Sequence, residues 1–324
     1  MSRWAWRLWR LLWVIVLFVV VFWISLQPRR YRASDYPPPE FATPKLDLAA
    51  LPEVEVSVIE SGSGGGAEFL VIEGGSWFKK YHAVHAAFLI GHPKATFLFD
   101  TGLGRLTAQQ ARAKPAWWRL FFPFKQYSTT VDELARGSLA VRDIAFLIPS
   151  HLHWDHAASL PDFPDAEVRV TRSEWDYART VARPLWHGIF PELARWPDLR
   201  WTSLEFAEKP YENFSKSLDL FGDGTIVLVL LPRHTPGHVG MFVNLRSGKR
   251  LFFVGDAVWY GEGIRRPAQR PWLASLLVGE DREPTWHTLV KLHQLHVAKP
   301  EIQIIPTHDR AAMAGLAHFP DRTR

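Results

Sequence analysis

Apolar, strand-like runs recur along the chain, and four of them end at histidine or aspartate residues. Each run is short and rich in β-branched or aromatic residues, which is typical of a buried strand. The four runs are 144–148, 225–231, 251–254 and 302–305. The polar residues that follow them are, in the same order, the cluster 151–156, His234, Asp256 and His308. Because the carboxyl ends of adjacent strands meet at one edge of a sheet, we expect these side chains to converge.

The remaining apolar pattern predicts further strands and helices. It predicts strands at 54–59 and 69–72, joined by a flexible glycine-rich hairpin tip at 61–66, a second hairpin at 86–90 and 96–99, and a strand at 168–170. Helices are predicted at 107–122, with an interruption at Pro115, and at 131–136, 173–181 and 284–297. Residues 182–215 show no clean period and are predicted to form a loop-rich cover. This order of elements favours two packed sheets with helices outside.

The first residues form a separate apolar segment. The run Leu11–Leu26 is interrupted only by Ser25 and is flanked by three arginines on each side. As a helix, the run rises about 24 Å, short of the roughly 30 Å hydrocarbon core, and tryptophans before it extend its apolar reach. A cleaved signal peptide is the alternative, but residues 24–28 offer no small-x-small cleavage site. We therefore expect an uncleaved anchor.

The positive charge of the chain belongs to this anchor. The formal net charge is +5, yet residues 1–32 hold six arginines and no acidic residue, so the remaining 32 basic and 33 acidic residues nearly balance. We therefore expect no nucleic-acid partner. Residues 33–52 are rich in proline and are predicted to be a linker, followed by a catalytic domain over 53–324. With the α-amino group counted, the N-terminal flank of the apolar run is slightly more positive than the other flank. We therefore expect this domain in the periplasm, on a single-pass protein of a bacterial-type inner membrane.

The segment 151–156 carries the strongest chemical signal. It has the pattern His-x-His-x-Asp-His, so four potential metal ligands lie within six residues. A strand would point His151 and His153 to the same side, and a sharp turn would aim Asp155 and His156 at a second point nearby. One segment can therefore serve two metal ions, an arrangement known from hydrolytic enzymes. The chain has no cysteine, so any metal must be held by histidine, aspartate and glutamate.

These residues resemble the metallo-β-lactamase fold superfamily of hydrolases over roughly residues 54–312. The resemblance implies an α+β fold, an αββα sandwich of two mixed sheets flanked by helices. It implies that the first metal is held by His151, His153 and His234. It implies that the second metal is held by Asp155, His156 and His308. Asp256 is then the carboxylate that bridges both metals, and Asp100 in the sequence Phe-Asp-Thr-Gly orients the ligand loops from behind.

The details of the motifs indicate a branch of that superfamily. His234 stands where the family's metal ligand stands in Leu-Pro-Arg-His-Thr-Pro-Gly-His, which leaves His238 a role in packing or behind the ligands. Asp256 is similar to the bridging residue of thioesterases of the glyoxalase II type, quorum-quenching lactonases and phosphodiesterases. The sequence around 150–157 is most similar to the lactonases. A tyrosine that often follows the bridging aspartate by three residues is replaced by Trp259, and Tyr260 comes next.

We therefore expect a dinuclear metal-dependent hydrolase that acts on a small molecule, with or without an acyl chain. Two divalent ions, zinc first and manganese, iron, cobalt or nickel otherwise, would lower the pKa of a bridging water so that hydroxide attacks an ester-type bond, as in acyl-homoserine lactonases. Asp155 would carry the proton to the leaving group. Thioesterase and phosphodiesterase activities stay open, as does a non-catalytic metal-binding module at the membrane. The oligomeric state is not predicted.

Residues around the substrate are indicated less sharply. Tyr81, His85, Trp259 and Tyr260 are the candidates for the pocket. An aromatic cluster at residues 117–124 has two interpretations: it packs in the core, or it forms an apolar lip that admits an acyl chain or touches the bilayer.

Overall fold

Two mixed β-sheets pack face to face and carry helices on their outer sides, as the sequence predicts. The structure is a computed structural model that describes residues 3–197 and 199–324. In the described chain the strands are β1 (Glu55–Ala67), β2 (Lys80–His92), β3 (Ala95–Phe99), β4 (Phe124–Gln126), β5 (Phe146–Ile148), β6 (Glu167–Val170), β7 (Arg200–Ser203), β8 (Ser217–Asp219), β9 (Ile226–Leu230), β10 (Val239–Asn244), β11 (Arg250–Gly255) and β12 (Ile302–Pro306). The α+β sandwich expected from the sequence is confirmed.

The first sheet has seven strands in the order β4-β1-β2-β3-β5-β6-β7, and the second has five in the order β12-β11-β10-β9-β8. The helices are α1 (Arg3–Ser25), α2 (Thr107–Arg112), α3 (Ala116–Phe121), α4 (Thr130–Arg136), α5 (Trp154–Ala157), α6 (Arg172–Thr180), α7 (Pro191–Ala194), α8 (Glu262–Arg265), α9 (Trp272–Leu277) and α10 (Arg282–Ala298). Pro115 separates α2 from α3, as predicted, because proline has no N–H to continue a helix.

The two sheets are held together by aromatic and β-branched side chains on their inner faces. Phe88 of β2 lies against Phe253 of β11, with ring centroids 4.4 Å apart, and both side chains are fully buried. Fully burying such a side chain stabilises the fold by about 1.5–3 kcal/mol. Strand β5 pairs in parallel with β3 and β6, and β11 pairs in parallel with β12. This rigid packing fixes where the polar strand ends lie.

The glycine-rich segment differs from its prediction. Residues 61–66 are not a hairpin tip, because they continue β1, which pairs with β2 and β4. Close backbone approach requires glycine there: a Cβ at Gly62 would lie 2.9 Å from the carbonyl oxygen of Lys125, and one at Gly65, whose φ is +133°, would lie 2.2 Å from the carbonyl oxygen of Tyr81. The strand predicted at 69–72 is also wrong, since residues 68–70 form a 3₁₀ turn.

The chain before the sandwich also differs in part from its prediction. Helix α1 is 23 residues long, with a mean hydropathy of 2.4 over its most apolar window, and is the one described helix with the length and composition to cross a membrane. The proline-rich segment 33–52 does not run free as a spacer, because it lies along the sandwich. Tyr36 and Phe41 pack against the apolar cluster under α10, and Ala42 forms a β-bridge with Glu212.

Candidate metal centre

The histidine-rich segment leaves β5 and turns at once into the short helix α5. Asp100, at the end of β3, stands behind this turn, and its Oδ1 accepts a 2.7 Å hydrogen bond from the backbone N–H of Ser150. The φ of Asp100 is +54°, a left-handed conformation that costs on the order of 1–3 kcal/mol for a non-glycine residue. The hydrogen bonds of its fully buried carboxylate hold that strained turn in place.

Four side chains form the first donor group at the carboxyl edge of the sheets. They are His151, His153, His234 and Asp256, whose donor atoms all lie within 4.8 Å of one another. Nε2 of His234 is 3.0 Å from Nδ1 of His153 and 3.5 Å from Oδ2 of Asp256. Nε2 of His151 is 4.0 Å from the same carboxylate oxygen. Side chains that follow the ends of three strands, β5, β9 and β11, thus meet in one donor group, as the sequence pattern predicts.

A second donor group shares Asp256. Its other oxygen, Oδ1, lies 3.2 Å from Nε2 of His156 and 3.2 Å from Nε2 of His308. Oδ2 of Asp155 lies 3.2 Å from the same nitrogen of His308. Each of the two carboxylate oxygens of Asp256 therefore faces a different donor group: Oδ2 faces the first and Oδ1 faces the second. The structure thus brings together all seven residues that the family resemblance indicates as metal ligands.

Burial and charge set different protonation states in the two groups. Burial lowers the pKa of His151 and of His234 well below 6.5, and it lowers the pKa of His153 to about 3. These imidazoles are therefore neutral and present lone pairs. Burial acts in the same direction on His308, but the carboxylates of Asp256 and Asp155 outweigh it and raise its pKa to about 10. Beside these two carboxylates, His308 therefore favours its protonated form.

The donor set fits divalent metal ions. Nε2 of His151 and Nε2 of His153 are buried and have no hydrogen-bond partner among the described residues, although an unpaired buried polar atom costs about 1–3 kcal/mol. Neutral imidazoles and carboxylates without a thiolate are the donors that zinc and its neighbouring transition metals accept. Binding at the second group would displace protons, because metal ligands must be deprotonated.

Two residues predicted to lie behind the donors do so. Oδ2 of Asp100 lies 2.9 Å from Nδ1 of His156 and also accepts a 2.8 Å hydrogen bond from the hydroxyl of Thr307. His238 accepts a 3.2 Å hydrogen bond from the backbone N–H of Asp256 at Nε2, while its Nδ1 lies 3.1 Å from the carbonyl oxygen of Leu231. His238 thereby fixes the start of the Asp256 loop and lies outside both donor groups.

Three buried charged residues of the site were missed from the sequence. Glu280 accepts from Nδ1 of His234 at 3.2 Å, and Arg270 forms an ion pair with Glu280. Glu174 accepts a 2.8 Å hydrogen bond from the N–H of Leu152 and a 3.0 Å bond from that of Gly237, so it ties two donor loops together. No motif marks Glu280 or Arg270 in the sequence, and only the fold brings these two residues to the donors.

Replacing Glu280 by glutamine should lower the zinc affinity of the protein about 10–100-fold, the usual effect of losing a partner that orients a ligating histidine. The carboxylate of Glu280 is fully buried against His234 Nδ1, and an amide there gives up the charged hydrogen bond. Zinc titration against a competing chelator measures the change. Glu262→Gln is the matched control, because that carboxylate pairs with the surface Arg265. Equal affinities for both variants would contradict the role of Glu280.

An apolar cavity of about 350 Å³ opens directly onto the donor atoms. Asp155, His153, Asp256 and His308 form part of its floor. Such a volume suits a small-molecule ligand. Most of the walls are apolar, and the donors are the main polar groups that a bound molecule would meet.

Three of the four residues predicted for the pocket line this cavity, namely Tyr81, His85 and Trp259. Nδ1 of His85 lies 3.4 Å from Oδ2 of Asp155, and the indole N–H of Trp259 donates a 2.6 Å hydrogen bond to Oδ2 of Asp256. Tyr260 does not line the cavity, because its side chain turns to the surface. There its hydroxyl accepts a 2.7 Å hydrogen bond from Lys79.

Some residues of the aromatic cluster at 117–124 pack in the core, and others border the cavity, so each interpretation holds for part of the cluster. Trp118 is fully buried and packs against Trp154, with ring centroids 5.3 Å apart. Leu120 and Phe121, from the same helix, are exposed at the surface and also line the cavity, together with Phe122. Helix α3 therefore places one face in the core and the other at the cavity mouth.

Comparison with known sequences agrees with this geometry. The sequence model of the metallo-beta-lactamase superfamily matches residues 83–308. The chain is 28% identical over 242 residues to the N-acyl homoserine lactonase AttM of Agrobacterium fabrum. The match covers 72% of this chain and 85% of AttM. It is 26% identical over 229 residues to a probable metallo-hydrolase of Mycobacterium tuberculosis, covering 65% of this chain and 70% of that one.

Solved structures share the fold. A structure of N-acyl homoserine lactone hydrolase with the product N-hexanoyl-L-homoserine at its catalytic metal centre superposes with a TM-score of 0.64 at 18% identity, covering 84% of this chain and 99% of that one. The dizinc quorum-quenching lactonase AidC superposes with a TM-score of 0.54 at 17% identity, covering 88% and 93%. At these identities the likeness establishes the architecture of the sandwich.

Proposed function

The chain belongs to the metallo-beta-lactamase superfamily and is a metallo-hydrolase that acts on an ester bond, and from this premise we propose that it is a dinuclear enzyme that opens the ring of an N-acyl lactone. The observation that carries the proposal is the junction of two donor groups, sharing Asp256, with an apolar cavity. The donors suit the hydrolysis of a carbonyl compound, and the cavity suits an attached acyl chain. The similarity to AttM supports a lactone as the polar end.

The first ion would be held by His151, His153 and His234, the second by Asp155, His156 and His308, and Asp256 would serve both. When bound, the ions would supply Lewis-acid activation of a water molecule and of the substrate carbonyl. Zinc is the ion that we expect first, and the donor set also accepts manganese, iron, cobalt or nickel. Asp100, His238 and Glu280 hold the donors in orientation from behind.

Asp155 is placed to move the proton of the reaction. Burial raises the pKa of its carboxyl, but His156 and the hydrogen bond from His308 outweigh burial and hold the pKa well below 3.8, so the group is ionised. Its Oδ2 lies 3.2 Å from Nε2 of His308 and 3.4 Å from Nδ1 of His85, and the residue lines the cavity. In ring opening, the carboxylate of Asp155 would take a proton from the attacking water and pass it to the departing ring oxygen, which stays in the product as a hydroxyl group.

The surrounding residues orient the substrate. The acyl chain would lie along Leu273, Leu277 and Phe122, while Tyr81 and His85 border the polar end of the cavity. Trp259, where lactonases often have tyrosine, instead holds the carboxylate of Asp256 through its indole N–H. A thioester would fit the same cavity. We rank a phosphodiester lower, because the similarity to AttM supports a lactone.

Helix α1 is proposed to be retained as a membrane anchor, with the catalytic domain on the periplasmic side. The helix exposes its apolar surface along its length, while Leu26 at its end is buried against the domain. The N–H of Gly74 donates a 2.8 Å hydrogen bond to the carbonyl oxygen of Leu26. These contacts would be lost if the segment were cleaved as a signal peptide, and they therefore support an anchor.

The test of the proposed function is hydrolysis by the purified full-length chain in detergent. We expect N-acyl homoserine lactones to be opened faster than thioesters or phosphodiesters. We expect chelation to abolish turnover and added zinc to restore it, because the donors have no other means of activating water. Turnover that resists chelation, or a metal-loaded protein that opens no lactone, would refute the proposal. A metal-loaded protein inactive on all three substrate classes would favour the non-catalytic alternative.

A further inference from the structure

The end of helix α1 forms part of the wall of the catalytic cavity. Phe22, Ser25 and Leu26 line the same cavity as Asp155 and Asp256. The ring of Phe22 also packs edge-on against two aromatic side chains of the domain, Phe69 and Trp77, with centroids 6.5 and 6.3 Å away. The anchor is therefore a structural part of the cavity mouth.

The domain is fastened to the helix at this point. The backbone N–H of Arg29 donates a 3.2 Å hydrogen bond to Glu73, and its guanidinium pairs with Glu283 at 2.5 and 3.1 Å. The buried Leu26 adds a backbone bond to Gly74. Together these contacts hold the end of the helix against the domain, beside the mouth of the cavity.

An apolar rim surrounds the mouth. Outside α1, the described chain exposes eleven large apolar side chains, and seven of them belong to the three segments that border the mouth. The seven are Leu70, Trp77, Phe78, Leu120, Phe121, Trp272 and Leu276. Phe78 is 97% exposed, the largest exposure among them. An apolar patch concentrated in this way marks an interaction surface or a membrane contact.

We propose that this rim lies in the lipid interface beside helix α1, so that the catalytic cavity opens towards the bilayer and takes a long-chain acylated substrate out of the membrane. The occupant of the rim is lipid because the rim is continuous with α1. A helix of 23 residues is about 35 Å long, enough to cross a hydrocarbon core of about 30 Å. Its last turn, and the mouth with it, then lies at the level of the interface.

Charge on the same segments suits that position. Lys80, Arg119 and Lys125 are exposed beside the apolar rim residues, and basic side chains near a membrane surface are attracted to anionic headgroups. Arg30 and Arg32 follow the helix directly. The polar end of a substrate would reach the donors while its acyl chain remained among Phe22, Leu26 and Leu277. Only the identity of this polar end, a lactone, rests on the proposed function.

The absence of cysteine from the chain allows a direct measurement of depth. Phe78→Cys and Leu276→Cys place a single thiol on the rim, at residues that do not line the cavity. Leu48→Cys is the matched control. Leu48 is exposed and lies beside Gly248, in the turn before β11. Asp256 follows the other end of β11, so Leu48 is at the opposite end of that strand from the metal donors.

Each full-length variant is labelled with an environment-sensitive fluorophore and reconstituted in vesicles of phosphatidylethanolamine and phosphatidylglycerol. We expect nitroxide-bearing lipids to quench labels 78 and 276 and to leave label 48 unchanged. Labels 78 and 276 that remain as accessible to water as label 48 would overturn the proposal, as would equal quenching of all three. This result does not depend on the substrate, so a failed lactonase assay leaves the measurement interpretable.

A second arm measures delivery of the substrate. Phe78→Asp combined with Leu276→Asp should lower kcat/KM for a vesicle-borne dodecanoyl lactone by about tenfold or more, because two apolar side chains no longer enter lipid. Turnover of a water-soluble butanoyl lactone should stay within about twofold of the wild-type rate, as it should for Leu48→Asp on both substrates. An equal loss on both lactones would show that the rim is merely structural and would overturn the proposal.

Discussion

Asp256→Asn should lower kcat/KM at least about a thousandfold and leave the purified protein with fewer than two bound metal ions. The two oxygens of Asp256 face different donor groups: Oδ1 lies 3.2 Å from His156 and from His308, and Oδ2 lies 3.5 Å from His234. Removing its negative charge weakens both groups at once, and several kcal/mol of transition-state stabilisation by the ions would be lost with them.

Metal analysis and steady-state kinetics on the same sample measure both effects. The control is Asp176→Asn, an exposed carboxylate on α6 that pairs with Arg172. We expect this variant to retain its metal and its activity. An Asp256→Asn protein that keeps two ions and its rate would contradict the shared position of this carboxylate.

Asp155→Asn should lower kcat by about 10²–10⁴-fold, the usual contribution of a positioned general acid or base. Asparagine keeps an oxygen near His308 but cannot carry a proton. The loss should be smaller for a thiolactone than for the matching lactone, because a thiol, with a pKa near 8.5, leaves without being protonated. Rates on both substrates, measured together with metal content, separate proton transfer from metal binding. Equal losses on the two substrates would contradict the proton-transfer role.

The fold and the donor set could be predicted because they rest on local patterns. The apolar runs before His151, His234, Asp256 and His308 indicate strands that end at one sheet edge, and the structure brings these residues together. The pattern of short ligand spacing within 151–156 is likewise a property of a single segment. Such features survive in a sequence without knowledge of tertiary contacts.

The features that could not be predicted depend on contacts between distant segments. Glycines at 61–66 indicated a turn, yet the close approach of β2 and β4 makes them part of a strand. Strand β10 (Val239–Asn244), which follows the histidine motif directly, is absent from the sequence prediction. Glu280 and Arg270 lie in the loops on either side of the short helix α9, so their approach to His234 and Asp256 leaves no periodic signal. The contact of Phe22 with the cavity has the same origin.

Anomalous diffraction from crystals of the zinc-loaded full-length chain tests the central claim most directly. The account predicts two zinc peaks about 3.5–4 Å apart, with Asp256 between them. One peak should lie against the group of His151, His153 and His234, and the other against that of Asp155, His156 and His308. A single peak, or two peaks that do not share Asp256, would contradict it.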